Sequence, residues 1–291
     1  MDQIDLFVCD LFDVSFKDDL ESMSAPLYSL SNTAAKVQEH EIDKHIRVYE
    51  DDRVKIKVTP GLEVGHATIH DKDVIIYCMS HLMAAKNRNE PIGKDVLLIA
   101  HDLLMTTNRT GKRPKPSADD YDRLLAALRR LKHTNIEIVL KNEKSETKRI
   151  RSFNLLDDFD VVRTDDKKDG RMLSIKLELP SVLLESLEDP KNFATINPDY
   201  FKIRAALDRR LYELANRHCH NQKKWPIRIE NLHKRSGSVE NLIGFRKQLN
   251  KRITANLIPD YKLTLVDNVV IARPKPMPIG SLAKKHKKKP L

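Results

Sequence analysis

The sequence predicts an α+β fold in which one plan, a helix, a strand, a short helix, a longer helix and a hairpin, is used twice. Three observations predict it. Apolar residues recur at helical spacing in several segments, and short β-branched runs stand between them. The segments come in the same order in both halves. The 291 residues, 40% hydrophobic, 32% charged and 5% aromatic, suit about two helix-rich domains that each bury a core.

Within the first half, Lys44 to Val58 mixes β-branched and charged residues and stops at Pro60-Gly61, which predicts a strand. From Asp71 to Asn87, the spacing of Ile75, Met79, Leu82 and Met83 predicts a helix with Asp71 at its start. Val96 to Arg109 reads as a strand running into a helix. Ser117-Ala-Asp-Asp120 is a capping box, and the helix behind it carries Tyr121, Leu124, Leu125, Leu128 and Leu131 on one face. Asn135–Leu140 and Arg171–Leu179 read as strands around a polar connector.

The second half repeats the order. Tyr200 to His218 is a long helix with Ile203, Leu207, Leu211 and Leu214 inward. Trp225–Ile229 is a short strand and Glu230–Arg235 a short helix closed by Ser236-Gly237-Ser238. Ser238 is expected to cap a helix bearing Val239, Leu242, Phe245, Leu249 and Ile253. Tyr261–Leu265 and Asn268–Arg273 form a hairpin around Val266-Asp267. This order is the winged-helix variant of helix-turn-helix, so the expectation is two tandem winged-helix domains. The boundaries are an acidic, partly disordered arm at 1–40, a first domain at 41–180, a second, basic domain at 181–273 and a basic disordered tail at 274–291.

Charge is distributed unevenly. Residues 1–30 carry seven acids against Lys17, and residues 273–291 carry seven bases and no acid. Residues 199–272 hold fifteen bases and seven acids, within a chain of net charge +10. A basic half with a basic tail is the footprint of a polyanion, most often nucleic acid, although winged helices also serve as protein–protein modules. Stepping about 100° per residue from Leu242 places Asn241, Lys247 and Gln248 where they can reach base edges. Lys234, Arg235, Lys251 and Arg252 are candidate phosphate clamps and Arg246 a further DNA-binding candidate, with Ser236 and Ser238 at the helix start as further phosphate contacts. In the first half, Arg109, Lys112, Arg113, Lys115, Arg123 and Arg130 offer a weaker, secondary contact, diluted by Asp119, Asp120 and Asp122.

Several longer stretches resemble a known family. They are the run from Arg204 to Cys219, Leu232-His-Lys-Arg-Ser-Gly-Ser238 leading to Gly244-Phe-Arg246, and Leu257-Ile-Pro-Asp-Tyr261. In the first half they are Ala67 to Cys78, Tyr121-Asp-Arg-Leu124 and Asp169-Gly-Arg-Met172. These resemble the plasmid replication initiator protein A family, over roughly residues 1–273. The resemblance implies a bacterial initiator that binds direct repeats at a plasmid origin and helps open the adjacent duplex. It also implies recruitment of the host initiator, helicase and polymerase components, a homodimer in equilibrium with monomer, and repression of the protein's own promoter. A winged-helix transcriptional repressor is the alternative. The basic tail is not a feature of the family.

Gln3-Ile4-Asp5-Leu6-Phe7 resembles the pentapeptide with which bacterial proteins dock on the polymerase sliding clamp. Leu6 and Phe7 would fill an apolar pocket. The competing reading is a strand tucked onto the first domain.

Enzymatic chemistry, cofactors and metals are not expected. There is no P-loop, and Gly65-His-Ala-Thr-Ile-His70 lacks the His spacing of a rolling-circle nickase. Adjacent His218, Cys219 and His220 on one helix would point apart. Asp157, Asp158, Asp160, Asp165 and Asp166 read as connector turns. No run approaches ~18 apolar residues, and MDQIDLFVCD lacks a basic signal region, so no membrane association and a cytoplasmic location are expected, which the resemblance implies is bacterial. Cys9, Cys78 and Cys219, odd in number and far apart, fit a reducing compartment.

Overall fold

The computed structural model describes residues 17–19, 23–31, 38–52, 54–107, 112–141, 149–163, 172–219 and 222–276. The expected plan is present in both halves. In the first, α2 (Lys72–Asn87), β4 (Asp95–Ile99), α3 (Ala100–Thr106) and α4 (Ala118–His133) lead to β7 (Asp158–Arg163) and β8 (Met172–Glu178). In the second, α6 (Ala206–Cys219), β10 (Trp225–Arg228), α7 (Ile229–Ser236) and α8 (Leu242–Ala255) lead to β11 (Tyr261–Val266) and β12 (Val269–Pro274). The sheets agree: the orders are β4-β8-β7 and β10-β12-β11, all antiparallel, so the strand after the first helix pairs with the last strand each time.

Local sequence explains most elements. The α4 capping box forms as expected, with the Asp120 carboxylate accepting from the Ser117 backbone N–H at 2.8 Å. Asp267 and Asn268, both at positive φ (49° and 61°), supply the twist that a two-residue hairpin needs.

The first half differs from expectation in its strands. After the short α1 (Ile42–His45), Lys44–Val58 is a hairpin rather than one strand, β2 (Arg47–Glu50) and β3 (Val54–Thr59). The polar connector contains β6 (Arg149–Asn154) and β7. Strand β5 (Asn135–Leu140) does not partner β8; it joins a four-stranded sheet of order β2-β3-β5-β6. Both β6 and β7 are edge strands with one wet face, so their sequences read as polar. In the second half, Tyr200 belongs to a 3-10 turn at Pro198–Lys202 capped by Asn197, and α6 begins only at Ala206.

The C-terminal part of the acidic arm is built into the fold. Strand β1 (Lys17–Asp19) pairs with β9 (Phe193–Thr195), and Met23, Leu27 and Tyr28 are buried. The short α5 (Ser181–Ser186) precedes β9. Gln3, Ile4, Asp5, Leu6, Phe7 and the tail beyond 276 lie outside the described residues.

Two cores meet across α2. Thirteen of its sixteen residues are buried, with Ile75 and Met79 in the first core and Ile76 in the second. A helix wrapped on all sides must be apolar or paired. Its first turn carries Lys72 and Asp73, 0% and 1% exposed. The Lys72 Nζ lies 2.5 Å from Asp18 Oδ2 and 3.2 Å from Glu213 Oε1. Arg210 reaches Glu213 Oε2 at 3.0 Å, and Arg209 reaches Asp73 Oδ1 at 2.5 Å. Tyr200 donates its hydroxyl to Glu213 Oε1 at 2.9 Å. Three buried cations thus balance three buried carboxylates. Burial pulls the Lys72 pKa down, but Asp18 and Glu213 outweigh it and hold it above its ordinary value. Burial pushes Glu213 up, and Lys72 and Arg210 outweigh that and hold it low.

Two predictions follow from this packing. Lys72→Met takes the buried ammonium away from Asp18 and leaves Glu213 to Arg210, and is expected to cost about 3–5 kcal/mol in urea unfolding; a loss under about 1 kcal/mol would contradict the described pairing. Burial lowers His66, His81 and His218 from 6.5 to about 4 each. The unfolded chain therefore binds more protons than the folded one between those values, and stability falls as pH drops from 6.5 towards 4. A melting temperature flat from pH 7 to 5 would rule this out.

Candidate nucleic-acid interface

The second half presents a helix pair and a hairpin on one basic surface. Leu232 of α7 and Phe245 and Leu249 of α8 are buried in the second core, which turns the opposite face of α8 outward. That face carries Arg246, Lys247, Gln248 and Lys251, all exposed, with Lys234 exposed at the end of α7. Among the described residues, Lys234, Lys247 and Lys251 enter no ion pair. Arg246 donates to Asn268 Oδ1 at 2.5 Å, which ties α8 to the hairpin tip. Arg252 is partly turned inward, 3.6 Å from the buried Asp208. Arg235 is half-buried.

Three expectations about single residues are corrected. The cap of α8 is Asn241, not Ser238: the Asn241 Oδ1 accepts from Gly244 N–H at 2.8 Å, which removes that oxygen from base reading. Ser238 instead accepts from Glu240 N–H at 3.3 Å, before the helix begins. Ser236 is buried and donates to His233 C=O at 2.7 Å, so its hydroxyl does not face a phosphate. With the later start, Val239 and Leu242 are 89% and 37% exposed rather than core.

The turn between α7 and α8 depends on Gly237. Its φ is 72°, and a Cβ there would come within 2.6 Å of Pro26 Cβ and 2.7 Å of Arg47 Nη2. Only glycine permits both the left-handed turn and this approach to the first half.

The hairpin adds cations that the sequence reading did not single out. Lys262 and Arg273 are direct cross-strand partners and both exposed. Like charges in that position repel, which a bound polyanion would relieve. Their signal is the alternation Tyr261 in, Lys262 out, Leu263 in. Arg228, Lys223 and Lys224 are exposed nearby in sequence.

The first half is different. Arg113 and Arg123 both reach Asp120, at 2.6 and 2.9 Å. Arg130 forms a two-pronged pair with Asp71, 2.8 Å on each oxygen, and is 18% exposed. These three expected DNA contacts are engaged within the fold. Arg163 pairs with Asp122 at 2.9 Å, and Lys132 with Asp158. Lys112 and Lys115 are exposed or nearly so, and Arg109 lies outside the described residues.

A model of the replication initiator protein A family matches residues 17–263. The chain belongs to that family. The span covers both helix pairs and the junction between them. A protein of Wigglesworthia glossinidia brevipalpis, described by inference as a replication protein, is 34% identical over 252 residues, 86% of this chain and 84% of its own. Two crystal structures of domains 2 and 3 of RctB have TM-scores of 0.58 and 0.53 at 11% and 14% identity. They cover 85% and 86% of this chain and 94% and 95% of their own. At that identity the likeness is one of fold.

In this initiator-family chain, His218 and Cys219, which tempt a metal reading, have contacts within the fold. His218 stacks on Trp225, ring centroids 4.3 Å apart, and the Cys219 thiol lies 3.7 Å from Ala272 C=O. His220 lies outside the described residues. Asp158 serves Lys132 and the backbone N–H of Phe159, and no helix among the described residues is long and apolar enough to cross a membrane.

The cap assignment predicts an asymmetry. Asn241→Ala is expected to cost about 1 kcal/mol of stability and Asn241→Asp close to none, since an Asp keeps the cap. Thermal melts of the two variants check this; equal losses would return Asn241 to the surface.

Proposed function

We propose that this protein starts replication by binding duplex DNA with its second half, α8 in the major groove and the β11–β12 hairpin on the backbone. In this reading each repeated unit is a winged-helix domain, and the second is the reading head. The observation that carries it is the contrast between the two equivalent helices: α8 shows unpaired Lys247 and Lys251, whereas α4's arginines 123 and 130 are held by Asp120 and Asp71. Family membership supports the replication role. The finer reading is recognition of direct repeats at a plasmid origin by a protein without chemistry of its own or cofactor, in the bacterial cytoplasm. It would recruit the host initiator and replicative helicase, and the sliding clamp through Gln3–Phe7. It would exchange between monomer and homodimer and repress its own promoter.

The test is a salt titration on origin DNA and on random duplex. Affinity is expected to fall with a log–log slope near −0.9 for each phosphate neutralised. Lys251→Ala, Lys262→Ala and Arg273→Ala should each flatten the slope by about one unit on both DNAs. Lys247→Ala should cost about 1–3 kcal/mol on the origin and less on random DNA. Arg123→Ala should leave both affinities unchanged. Insensitivity to salt, or a loss in Arg123→Ala equal to that in Lys251→Ala, would overturn the assignment.

A further inference from the structure

We propose that Ile243, in the first turn of α8, selects thymine by packing on its C5-methyl group in the major groove. This rests on the reading of α8 as the helix that enters duplex DNA, and it names what that helix recognises besides its cationic contacts. Ile243 is 83% exposed, although it is a large apolar side chain. It stands three and four residues before Arg246 and Lys247 and eight before Lys251, so it heads the same exposed stripe of the helix.

Local physics does not account for an isoleucine here. The second position of a helix favours an acid, which complements the macrodipole, and a β-branched side chain loses rotamer freedom in a helix. Helix α4 follows that rule, with Asp119 exposed at its second position. The first turn of α8 holds no acid. Repulsion from phosphate would account for the missing acid, but not for an apolar side chain in its place. Packing does not account for it either, because Phe245 and Leu249, both 0% exposed, close the core beneath α8.

The chemistry of the groove names the partner. Beyond the Asn241 cap, whose Oδ1 is held by Gly244 N–H at 2.8 Å, Leu242-Ile-Gly-Phe245 brings no hydrogen-bonding side chain to a base edge. A recognition helix meets bases with its N-terminal residues, and thymine is the base with an apolar group on its major-groove edge. Four residues at 1.5 Å each separate Ile243 from Lys247 by about 6 Å, or about two base-pair steps of ~3.4 Å. The site therefore carries a thymine within about two base pairs of the base that Lys247 contacts.

The test starts from duplexes that the full-length chain selects from a random-sequence pool, so the site need not be known beforehand. Each thymine of the selected duplex is then replaced by deoxyuridine, which removes the methyl alone. One such replacement is expected to weaken binding about fourfold, the worth of one apolar carbon taken out of contact. Ile243→Ala should bind the thymine duplex at least that much more weakly and lose nothing further with deoxyuridine. Lys247→Ala should keep the fourfold loss, and so should Leu257→Ala, which trims a 66% exposed side chain beyond the end of α8. Deoxyuridine alters only the DNA, so that arm does not depend on how a variant folds. Failure to select any sequence would overturn the reading of α8 and this inference with it. A selected duplex that loses affinity in Lys247→Ala but is indifferent to every deoxyuridine would overturn the methyl contact alone, as would a fourfold loss that persists in Ile243→Ala.

Discussion

The pairing of Lys72 with Asp18 and Glu213 holds the two halves in one arrangement. It joins β1, α2 and α6, drawn from both ends of the described chain. A cation in the first turn of a helix opposes the macrodipole, and a buried one also loses its hydration. Lys72 is therefore tolerable only with both carboxylates in place. Hydrophobic contacts between the cores could slide by a residue at modest cost. A buried charge cluster cannot, because any shift leaves an unpaired ion. This fixes register more than it adds stability.

The arrangement is passed on to the reading surface through Arg210. Besides Glu213, its guanidinium donates to Met23 C=O at 2.9 Å and to Arg235 C=O at 2.8 Å. One side chain thus links the junction to the end of α7. One residue further on, Gly237 packs against Pro26 and Arg47 of the first half. The orientation of α8 relative to the first half is then set at the C-terminal end of α7, by the Arg210 anchor and by a contact too close for any side chain.

What was legible in the sequence follows from the range of the interactions. The helix α2, the α4 capping box and the β11–β12 hairpin depend on neighbours within a few residues, and their patterns were sufficient. The start of α8 was shifted by three residues because Ser238 and Asn241 are both capping residues, and choosing between them takes the burial of Phe245 and Leu249. Strands β6 and β7 lie at sheet edges and carry charges on their wet faces, which erases the apolar alternation. The ion pair of Arg130 with Asp71 spans 59 residues, so Arg130 looked like a free cation. The Lys262–Arg273 pair was missed for the same reason: it exists only once register is known.

Repetition of a plan does not repeat its chemistry. Helices α4 and α8 occupy the same place in their units and both carry several basic residues. In α4, carboxylates come from its own first turn (Asp120) and from α2's approach (Asp71), and they consume the arginines within the fold. In α8, the first turn holds no acid; Asp208 lies 3.6 Å from Arg252, and Glu240, beside Gly244, enters no ion pair with the helix's lysines among the described residues. A count of lysines and arginines alone would score the two helices alike. The difference lies in whether each cation already has a partner that moves with it. A phosphate competing for Arg130 must displace a partly buried two-pronged carboxylate, whereas a phosphate meeting Lys247 or Lys251 displaces only water and counter-ions. In the proposed function, that difference in what must be displaced is what distinguishes the second unit as the reading head from the first as the frame that aims it.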